Sequence, residues 1–351
     1  MRKILEFRRL KLKLVYWAAV KGHSEVHPVK KVLENCWEHE YINLNSFGWK
    51  ANEEAHQTGI NNCAVCPTVV LPATPPWLFP MPVVDFQLLV SINDKNRQEP
   101  KETIVHKYLD LKYVSVIQLY TDGSKDPETG HTASAVYIPR FRNKTAKRTS
   151  NHISVYTTEM LAILLALQWV EVIKIPEVVI CSDSFAALLS LKSGKSSTRQ
   201  DILSDILQSL FRIHQTRTVI SFVWVPAHIG VEGNEVVDQI AKQALKHSDI
   251  ELIVPMSKLE IKGLIKGAVK DMWQKKKFKK WDSENKGRHL YNIQRIVGSE
   301  RRSFGNRRED SIISHLRIGH SALNQSLLLL LLLLLFLCSF PSTSMLHTPS
   351  Q

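Results

Sequence analysis

The amino-acid sequence predicts an α/β fold over residues 115–247, built on a five-stranded mixed sheet flanked by helices. Short apolar segments of strand length alternate here with longer apolar segments of helix length. The first three strand-like segments follow one another directly, which favours antiparallel pairing, whereas helices separate the last two, which favours parallel pairing. The extensions on either side show no sustained period, so we expect them to be poorly structured.

Three strands and a central helix are predicted in the first half of this region. The strands are predicted at residues 114–121, 133–138 and 148–155. The first one ends in the turn signal Asp122-Gly123. Residues 157–173 are apolar on nearly all sides, as expected of a helix that is buried rather than exposed.

The second half predicts the parallel part of the sheet and its covering helices. A strand is predicted at 178–181, helices at 184–191 and 201–214, a strand at 219–225, and a last helix after a loop at 226–233. Val237, Ala241 and Leu245 form an apolar row at i, i+4 and i+8 in that last helix. We therefore expect one face of this last helix to pack on the sheet.

Four acidic residues lie where predicted elements begin or end: Asp122, Glu159, Asp183 and Asp238. Each has an ordinary explanation as a turn residue, a helix-dipole partner, a helix cap or a solvated side chain. Their joint placement instead favours a shared site for a metal ion. Carboxylates that lie close together resist joint ionisation, and a hard divalent cation such as Mg²⁺ offsets that cost.

Four segments carry a family resemblance. They are Tyr120-Thr-Asp122-Gly-Ser124, Thr158-Glu159-Met, Cys181-Ser-Asp183-Ser184 and Trp224-Val-Pro-Ala-His228-Ile-Gly-Val-Glu-Gly-Asn234-Glu-Val-Val-Asp238. Their order and spacing resemble type 1 ribonuclease H. The resemblance implies that the four carboxylates hold two Mg²⁺ ions, or Mn²⁺, about 3.5–4 Å apart. It also implies cleavage of the RNA strand of RNA:DNA hybrids to 5′-phosphate and 3′-hydroxyl ends.

The same resemblance assigns further residues to the site. His228 matches a loop histidine that assists proton transfer or product release; without the resemblance it would be a surface histidine. Contact with the RNA 2′-hydroxyl is expected from a small set: the backbone of Gly123 and Ser124 and the side chains of Thr157, Thr158 and Ser184.

Two departures from the bacterial form of the family concern substrate binding. Thr157-Thr158 stand where amide side chains often precede the glutamate. Only a short linker joins Leu191 to Asp201, so the basic helix and loop of bacterial members are missing. We therefore expect the isolated domain to bind its hybrid weakly.

The flanking sequences resemble the polyprotein of non-LTR retrotransposons. The similar stretches are Pro75-Pro-Trp-Leu-Phe-Pro, Asp122-Gly-Ser-Lys-Asp-Pro-Glu-Thr-Gly and Ile312-Ile-Ser-His-Leu-Arg-Ile-Gly-His-Ser. No Tyr-x-Asp-Asp polymerase motif occurs in the chain. One alternative is thus a catalytically inactive, nucleic-acid-binding remnant. A transposase or integrase is another, although Asp122-Gly-Ser joined to His228 and Asp238 fits the ribonuclease pattern better.

Charge favours a polyanionic partner, and by charge alone a membrane surface fits as well as a nucleic acid; the resemblance implies an RNA:DNA hybrid. The 351 residues carry a net charge of +13, and residues 248–351 hold 17 Lys and Arg against 9 Asp and Glu. In this basic extension the run Lys275–Lys280 is interleaved with three aromatic residues: Trp273, Phe278 and Trp281. Such a run holds single strands by phosphate contact and stacking, or is a solvated charged helix.

We expect four parts: an N-terminal extension with a Pro-rich, extended connector (1–110), the ribonuclease H domain (115–247), a basic extension (248–325) and a Leu-rich low-complexity tail (326–351). The nine leucines from Leu327 to Leu335 fall short of the roughly 20 apolar residues that span a bilayer, so a membrane partner is not expected.

Cysteine usage indicates a reducing compartment. The five cysteines are sparse and odd in number, and the N-terminus lacks the apolar stretch of a signal peptide. We expect an intracellular protein, nuclear or cytoplasmic and not secreted, without a small-molecule cofactor. Cys63-Ala-Val-Cys66 with Cys36 and His39 is a weak candidate for a Zn²⁺ site.

Overall fold

A computed structural model describes residues 2–32, 46–68, 74–93 and 99–284, with side chains described for residues 5–276 within these ranges. The chain divides into two compact units, Met1–Val269 and Lys270–Gln351. The fold and the site described below belong to the first unit. The predicted Leu-rich tail, residues 326–351, lies outside the described residues.

A six-stranded mixed sheet forms the centre of the first unit. Its strands are β1 (Val83–Asp85), β2 (Ile117–Lys125), β3 (Thr132–Ile138), β4 (Asn143–Thr149), β5 (Glu177–Ser182) and β6 (Val219–Trp224), in the order β1-β6-β5-β2-β3-β4. The pairs β2–β3 and β3–β4 are antiparallel, whereas β2–β5, β5–β6 and β6–β1 are parallel. The predicted mixed sheet, with antiparallel strands followed by parallel ones, is confirmed.

The sheet has one strand more than predicted. β1 follows the last proline of the Pro-rich connector and pairs over three residues with β6, Val83 opposite Ser221. A segment this short, directly after residues that lack backbone N–H groups, has no periodic signal of its own. Only its neighbour in the sheet defines it as a strand.

The third predicted strand was misplaced. It was predicted at 148–155, whereas β4 runs from Asn143 to Thr149. Its sequence, Asn-Lys-Thr-Ala-Lys-Arg-Thr, is almost entirely polar because β4 is an edge strand whose first five side chains keep contact with solvent. The apolar Ile153 that suggested a later strand is instead fully buried in the connection to the next helix.

Helices cover both faces of the sheet. They are α1 (Arg2–Lys21), α2 (Phe47–Gln57), α3 (Gln87–Asn93), α4 (Lys101–Lys112), α5 (Val155–Ile173), α6 (Phe185–Ser193), α7 (Gln200–Gln215), α8 (Glu232–Ala244) and α9 (Lys258–Glu284). Along β2, α8 contacts Tyr120 and α5 contacts Gly123. Because side chains alternate between the faces of a strand, these two helices lie on opposite sides of the sheet.

The central helix α5 begins at the cap residue Ser154, whose side chain accepts a hydrogen bond from the Thr157 backbone N–H. By length and apolar composition alone, α5 is a candidate membrane span. Most of it is buried inside the fold, between the sheet and α7, so packing accounts for its apolar character.

The N-terminal extension contains more regular structure than predicted. Leu14 and Trp17 of α1 are fully buried. Leu88 of α3 and Val105 of α4 belong to the same apolar core as Val237 of α8. These helices were missed because charged residues interrupt the apolar positions of α1 and α4, so no sustained period is visible. Their buried faces are completed only by partners distant in sequence.

Candidate metal centre

Three carboxylates meet at one end of the central strands. Oxygen atoms of Asp122, Glu159 and Asp183 all lie within 4.8 Å of one another. The parallel pairing of β2 with β5 places Thr121 opposite Ser182, and the residue that follows each of them in the chain is an aspartate of the cluster. Glu159 comes from the beginning of α5. The fold thus gathers acids that are 37 and 24 residues apart in the chain.

Close packing of α5 on β2 brings Glu159 to Asp122. A Cβ atom on Gly123 would lie 2.4 Å from Thr158 Oγ1 and 2.5 Å from the Glu159 backbone nitrogen, so only glycine permits this approach. Ser134 of β3 strengthens the contact, since its hydroxyl donates to the Thr158 carbonyl at 2.7 Å. The predicted role of Gly123 as a backbone contact for substrate is untested, and its packing role is separate.

Burial makes this cluster electrostatically costly. Asp122 is 8% exposed, and burial, followed by the charges of Asp183 and Asp238, raises its pKa to about 7. Burial and the charge of Asp122 also raise the pKa of Glu159 well above its usual value. Fully ionised, the cluster would hold three negative charges within a few ångströms, so either protons or a cation must compensate them.

The donor set fits a divalent metal ion. All ligand atoms are carboxylate oxygens, which hard cations such as Mg²⁺ prefer. Glu159 Oε2 is buried and has no hydrogen-bond partner among the described residues. A buried, unpartnered carboxylate oxygen is unfavourable in the protein alone and is satisfied when a cation binds. Asp122, Glu159 and Asp183 can therefore hold a divalent ion.

Asp183 is held in place from β6 and α8. Asn234 Nδ2 donates to Asp183 Oδ2 at 3.3 Å, and the indole Nε1 of Trp224 donates to the Asp183 carbonyl at 3.1 Å. Burial raises the pKa of Asp183, while the Asn234 hydrogen bond and the charge of His228 lower it. Asn234 is 4% exposed. It was quoted within a predicted motif but given no role, although a polar residue in the apolar face of a helix is a usable signal.

The fourth predicted carboxylate, Asp238, lies beside the cluster. It projects from α8 and forms an ion pair with Lys242 at 2.7 Å, one helical turn further on. Its charge nevertheless contributes to the raised pKa of Asp122. The structure therefore gathers three of the four predicted ligands and leaves Asp238 nearby with a lysine partner. Metal binding by each of the four stays a prediction.

His228 lies in the exposed loop between β6 and α8. Its backbone adopts φ +55°, a left-handed conformation that is uncommon outside glycine, and Gly230 follows with φ +85°. Helix α4 contacts this loop, because a Cβ on Gly230 would lie 2.7 Å from Glu102 Cδ. The Gly230 backbone N–H also donates to Glu235 Oε1 at 3.0 Å, so the first turn of α8 holds this loop. The predicted proton-transfer role of His228 is untested by this geometry.

The predicted substrate contacts separate into two groups. Ser124 and Ser184 are partly exposed at the edge of the carboxylate cluster. Thr157 and Thr158 are fully buried: Thr157 Oγ1 donates to Glu260 Oε1 at 2.6 Å, and Thr158 Oγ1 donates to the Val155 carbonyl at 2.7 Å. Both threonine hydroxyls are engaged inside the protein, which does not favour direct contact with RNA. All these contacts stay predictions.

Glu260, 101 residues beyond Glu159, is a site-supporting residue that sequence reasoning missed. Besides the Thr157 hydroxyl, it accepts the backbone N–H of Ser154 at 2.7 Å, and it pairs with Arg199 at 3.3 Å. The Glu260 side chain is 6% exposed. No local pattern announces such a partner, since the contact joins α9 to the beginning of α5.

The weak zinc candidate gains no support where it is described. Among the residues that the structure describes, the carboxylate cluster is the one group of three or more potential metal ligands. Cys63 and Cys66 are free thiols there, while Cys36 and His39 lie outside the described residues.

The predicted basic run at Lys275–Lys280 is described only in part, because the side chains of residues 277–284 lie outside the described residues.

Comparison with known families agrees with this geometry. Residues 115–246 match the family model described as RNase H, and all three carboxylates of the cluster lie inside the matched segment. The mixed sheet and its flanking helices are those expected of that family. The match supports a nuclease of the hydrolase class that binds nucleic acid and divalent metal ions. Residues 115–246 are thus similar to ribonuclease H in sequence and in fold.

Proposed function

We propose that this chain hydrolyses the RNA strand of RNA:DNA hybrids, as type 1 ribonuclease H does, leaving 5′-phosphate and 3′-hydroxyl ends. The observation that carries the proposal is the cluster of Asp122, Glu159 and Asp183 within 4.8 Å, inside the ribonuclease H match. Two Mg²⁺ ions, or Mn²⁺, would be held there. Asp238 would join the ligand set by leaving Lys242.

The chain's own residues prepare the site for this reaction. Asp122 and Glu159 are held together by the packing of α5 on β2, and Asp183 is oriented by Asn234. When bound, divalent ions would supply Lewis-acid assistance to the attacking water and to the leaving oxygen. Because the carboxylates are positioned before any ion binds, little reorganisation is needed on binding.

His228 is suited to proton movement at the edge of the site. Its charge lowers the pKa of Asp183, which supports a position beside the cluster, and its loop position is exposed to solvent. Histidine is the side chain that most often donates or accepts a proton in enzyme sites. We infer that it assists the departure of the 3′-oxygen or of the product.

Selection of RNA requires contact with the 2′-hydroxyl. Ser124 and Ser184 flank the cluster and are partly exposed, so their backbone and hydroxyl groups can reach a bound strand. The backbone of Gly123 lies between Asp122 and Ser124. Thr157 and Thr158 would contribute by holding α5 rather than by touching substrate.

The decisive experiment uses the full chain with an end-labelled RNA:DNA hybrid, with and without Mg²⁺. Asp122→Asn removes one ligand, and Asp249→Asn is the matched control because Asp249 is exposed in the loop after α8. We expect Mg²⁺-dependent cleavage by the wild type and the control, and a loss of at least about 100-fold in the Asp122 variant.

Two results would contradict the proposal. A folded wild-type chain that binds the hybrid but shows no Mg²⁺-dependent cleavage would support the inactive, nucleic-acid-binding remnant. Equal cleavage of single-stranded RNA would mean that the hybrid is not the substrate class.

We also propose that the chain derives from a non-LTR retrotransposon and acts inside the cell, in the nucleus or cytoplasm. The similarity of Pro75–Pro80 and of residues 312–321 to such polyproteins supports this origin. Sequencing of the genomic locus should find a reverse-transcriptase frame upstream, and a fluorescent fusion should be retained in the cell. A locus without polymerase sequence would contradict the proposed origin. A secreted fusion would contradict the proposed location.

A further inference from the structure

The first three turns of α9, residues 258–269, are attached to the ribonuclease H domain although they lie beyond the matched segment. Ile261, Ile265 and Val269 are buried at i, i+4 and i+8. Glu260 is engaged inward with Ser154, Thr157 and Arg199. This part of α9 therefore keeps a defined position relative to the carboxylate cluster.

A row of lysines follows the neighbouring face of the same turns. Lys258, Lys262 and Lys266 are exposed at i, i+4 and i+8, so successive residues rise by about 6 Å along the helix. None of the three forms an ion pair with another residue in the described part of the chain. The single acid among residues 258–269 is Glu260, which is turned inward. The row is therefore uncompensated positive charge.

The row of positions beside Lys262 and Lys266 on the surface of α9 has no side chains, because both of its residues are glycines. Gly263 and Gly267 lie one residue after Lys262 and Lys266, and both are exposed. A Cβ on either glycine would meet nothing within 4 Å, so no neighbour in the described structure requires glycine there. Glycine destabilises an exposed helix relative to alanine. Its presence twice beside the lysines leaves room for an external backbone to approach the helix axis.

The two rows adjoin a cavity between α9 and the ribonuclease H domain. A cavity of about 490 Å³ is lined by Leu259 and Gly263 from α9 and by Lys125 and Tyr156 from the ribonuclease H domain. Lys125 lies three residues after Asp122 on β2, and Tyr156 lies three residues before Glu159 on α5. The cavity thus borders the two elements that carry Asp122 and Glu159.

We propose that Lys258, Lys262 and Lys266, with the open positions Gly263 and Gly267, dock the sugar-phosphate backbone of the nucleic-acid substrate. The inference rests on the proposed function, because it takes the hybrid as the ligand. Ammonium groups bind phosphates without regard to sequence, which suits a nuclease that acts on many hybrids. The surface would supply the positive charge for substrate binding that bacterial members place in a basic helix and loop, where this chain has only a short linker between α6 and α7.

The experiment measures binding without cleavage, in EDTA, by fluorescence anisotropy of a labelled hybrid with the full chain. The variant K258Q/K262Q/K266Q is compared with K31Q/K50Q/K101Q, which removes the same charge from the N-terminal extension. We expect Kd to rise on the order of tenfold or more for the α9 variant at low salt. The slope of log Kd against log salt should fall by about 2, since each phosphate contact contributes about 0.7–0.9.

Equal Kd values and equal slopes for the two lysine variants would overturn the proposal. The readout is independent of catalysis, so a chain that proves inactive as a nuclease still tests this surface. A chain that cleaves hybrids while the α9 variant binds normally would sink the docking surface and keep the proposed function.

The two glycines give a second test, in which stability should increase while hybrid binding weakens. G263A/G267A should raise Tm by a few degrees, because alanine favours the helix. It should also weaken hybrid binding severalfold, because two methyl groups would hold the strand away from the lysines. A raised Tm with an unchanged Kd would exclude the glycines from the surface.

Discussion

Glu260 accepts a hydrogen bond from the backbone N–H of Ser154 at 2.7 Å, across 106 residues of chain. Ser154 is the N-terminal cap of α5, and α5 carries Glu159 in its second turn. A residue outside the ribonuclease H match therefore helps to hold the beginning of a helix that supplies a metal-site carboxylate. Residues after 246 therefore contribute to the structure around the carboxylate cluster, although the family match ends at residue 246.

Glu260→Ala should lower the free energy of unfolding by about 3–5 kcal/mol, because it leaves the Arg199 guanidinium buried with one acidic partner fewer. Arg199 is 1% exposed. Urea unfolding of the full chain measures the loss, with Glu128→Ala as a control in an exposed turn. Burial raises the pKa of Glu260, but hydrogen bonds from Thr157, Ser154 and Ser257 bring it below its usual value.

The sign of the pH dependence follows from this lowered pKa. Glu260 contributes stability at neutral pH, above its unfolded-state value, and loses it as pH falls through the lower folded-state pKa. The stability difference between wild type and Glu260→Ala should therefore shrink in acid. A difference below about 1 kcal/mol at pH 7 would mean that Glu260 is dispensable.

Asp122→Asn should stabilise the metal-free protein at pH 8. The pKa of Asp122 is raised to about 7 in the fold, so the folded state binds more protons than the unfolded chain and loses stability as pH rises from about 4 to about 7. The amide removes that charge and should add about 1–3 kcal/mol, within the limit that the raised pKa sets.

The same pair of proteins tests metal binding by thermal unfolding. Mg²⁺ should raise the Tm of the wild type, because it binds the folded state, and should raise that of Asp122→Asn much less. Lower stability of the variant in EDTA at pH 8 would contradict the electrostatic account of the cluster.

Gly123→Ala should disable the site through the backbone. The new Cβ would lie 2.5 Å from the Glu159 nitrogen, so α5 must move and Glu159 must separate from Asp122. We expect a loss of roughly 1–3 kcal/mol in stability, typical of overpacking, and a loss of Mg²⁺-dependent cleavage. The double variant G123A/T158A removes the Thr158 hydroxyl but not the backbone contact. Recovery of activity in the double variant would show that only the hydroxyl was in conflict.

Asn234→Asp should move the pH dependence of cleavage upward. The Asn234 amide donates to Asp183, and replacing it by a carboxylate puts a further negative charge against a buried acid. The pKa of Asp183 should rise, so deprotonation for metal binding needs a higher pH. The acid limb of the pH–rate profile measures this rise, with Asn234→Ala as the control that removes the hydrogen bond without adding charge. An unshifted acid limb in Asn234→Asp would contradict the contact.

The order of strands and helices from β2 to α8 was predictable because it depends on local patterns. Apolar runs of strand length and the all-round apolar character of α5 are readable within a window of about 20 residues. The acids Asp122 and Asp183 were identifiable because each follows an apolar run, although the predicted turn at Asp122-Gly123 was wrong: β2 continues to Lys125, since these residues pair with β3. Where the pattern was weak, as in polar edge strand β4 and three-residue β1, the prediction was wrong or missing.

Sequence alone determined which elements carry the acids, and the resemblance supplied their chemistry. The tertiary structure decided which side chains are available: it gathers Asp122, Glu159 and Asp183, pairs Asp238 with Lys242, and buries the Thr157 and Thr158 hydroxyls. It also joins Glu260 to Ser154. The carboxylate cluster and the contacts of Glu260 link residues 24 to 106 positions apart, and neither periodicity nor local spacing encodes them, because burial and pairing depend on the packing of the whole fold.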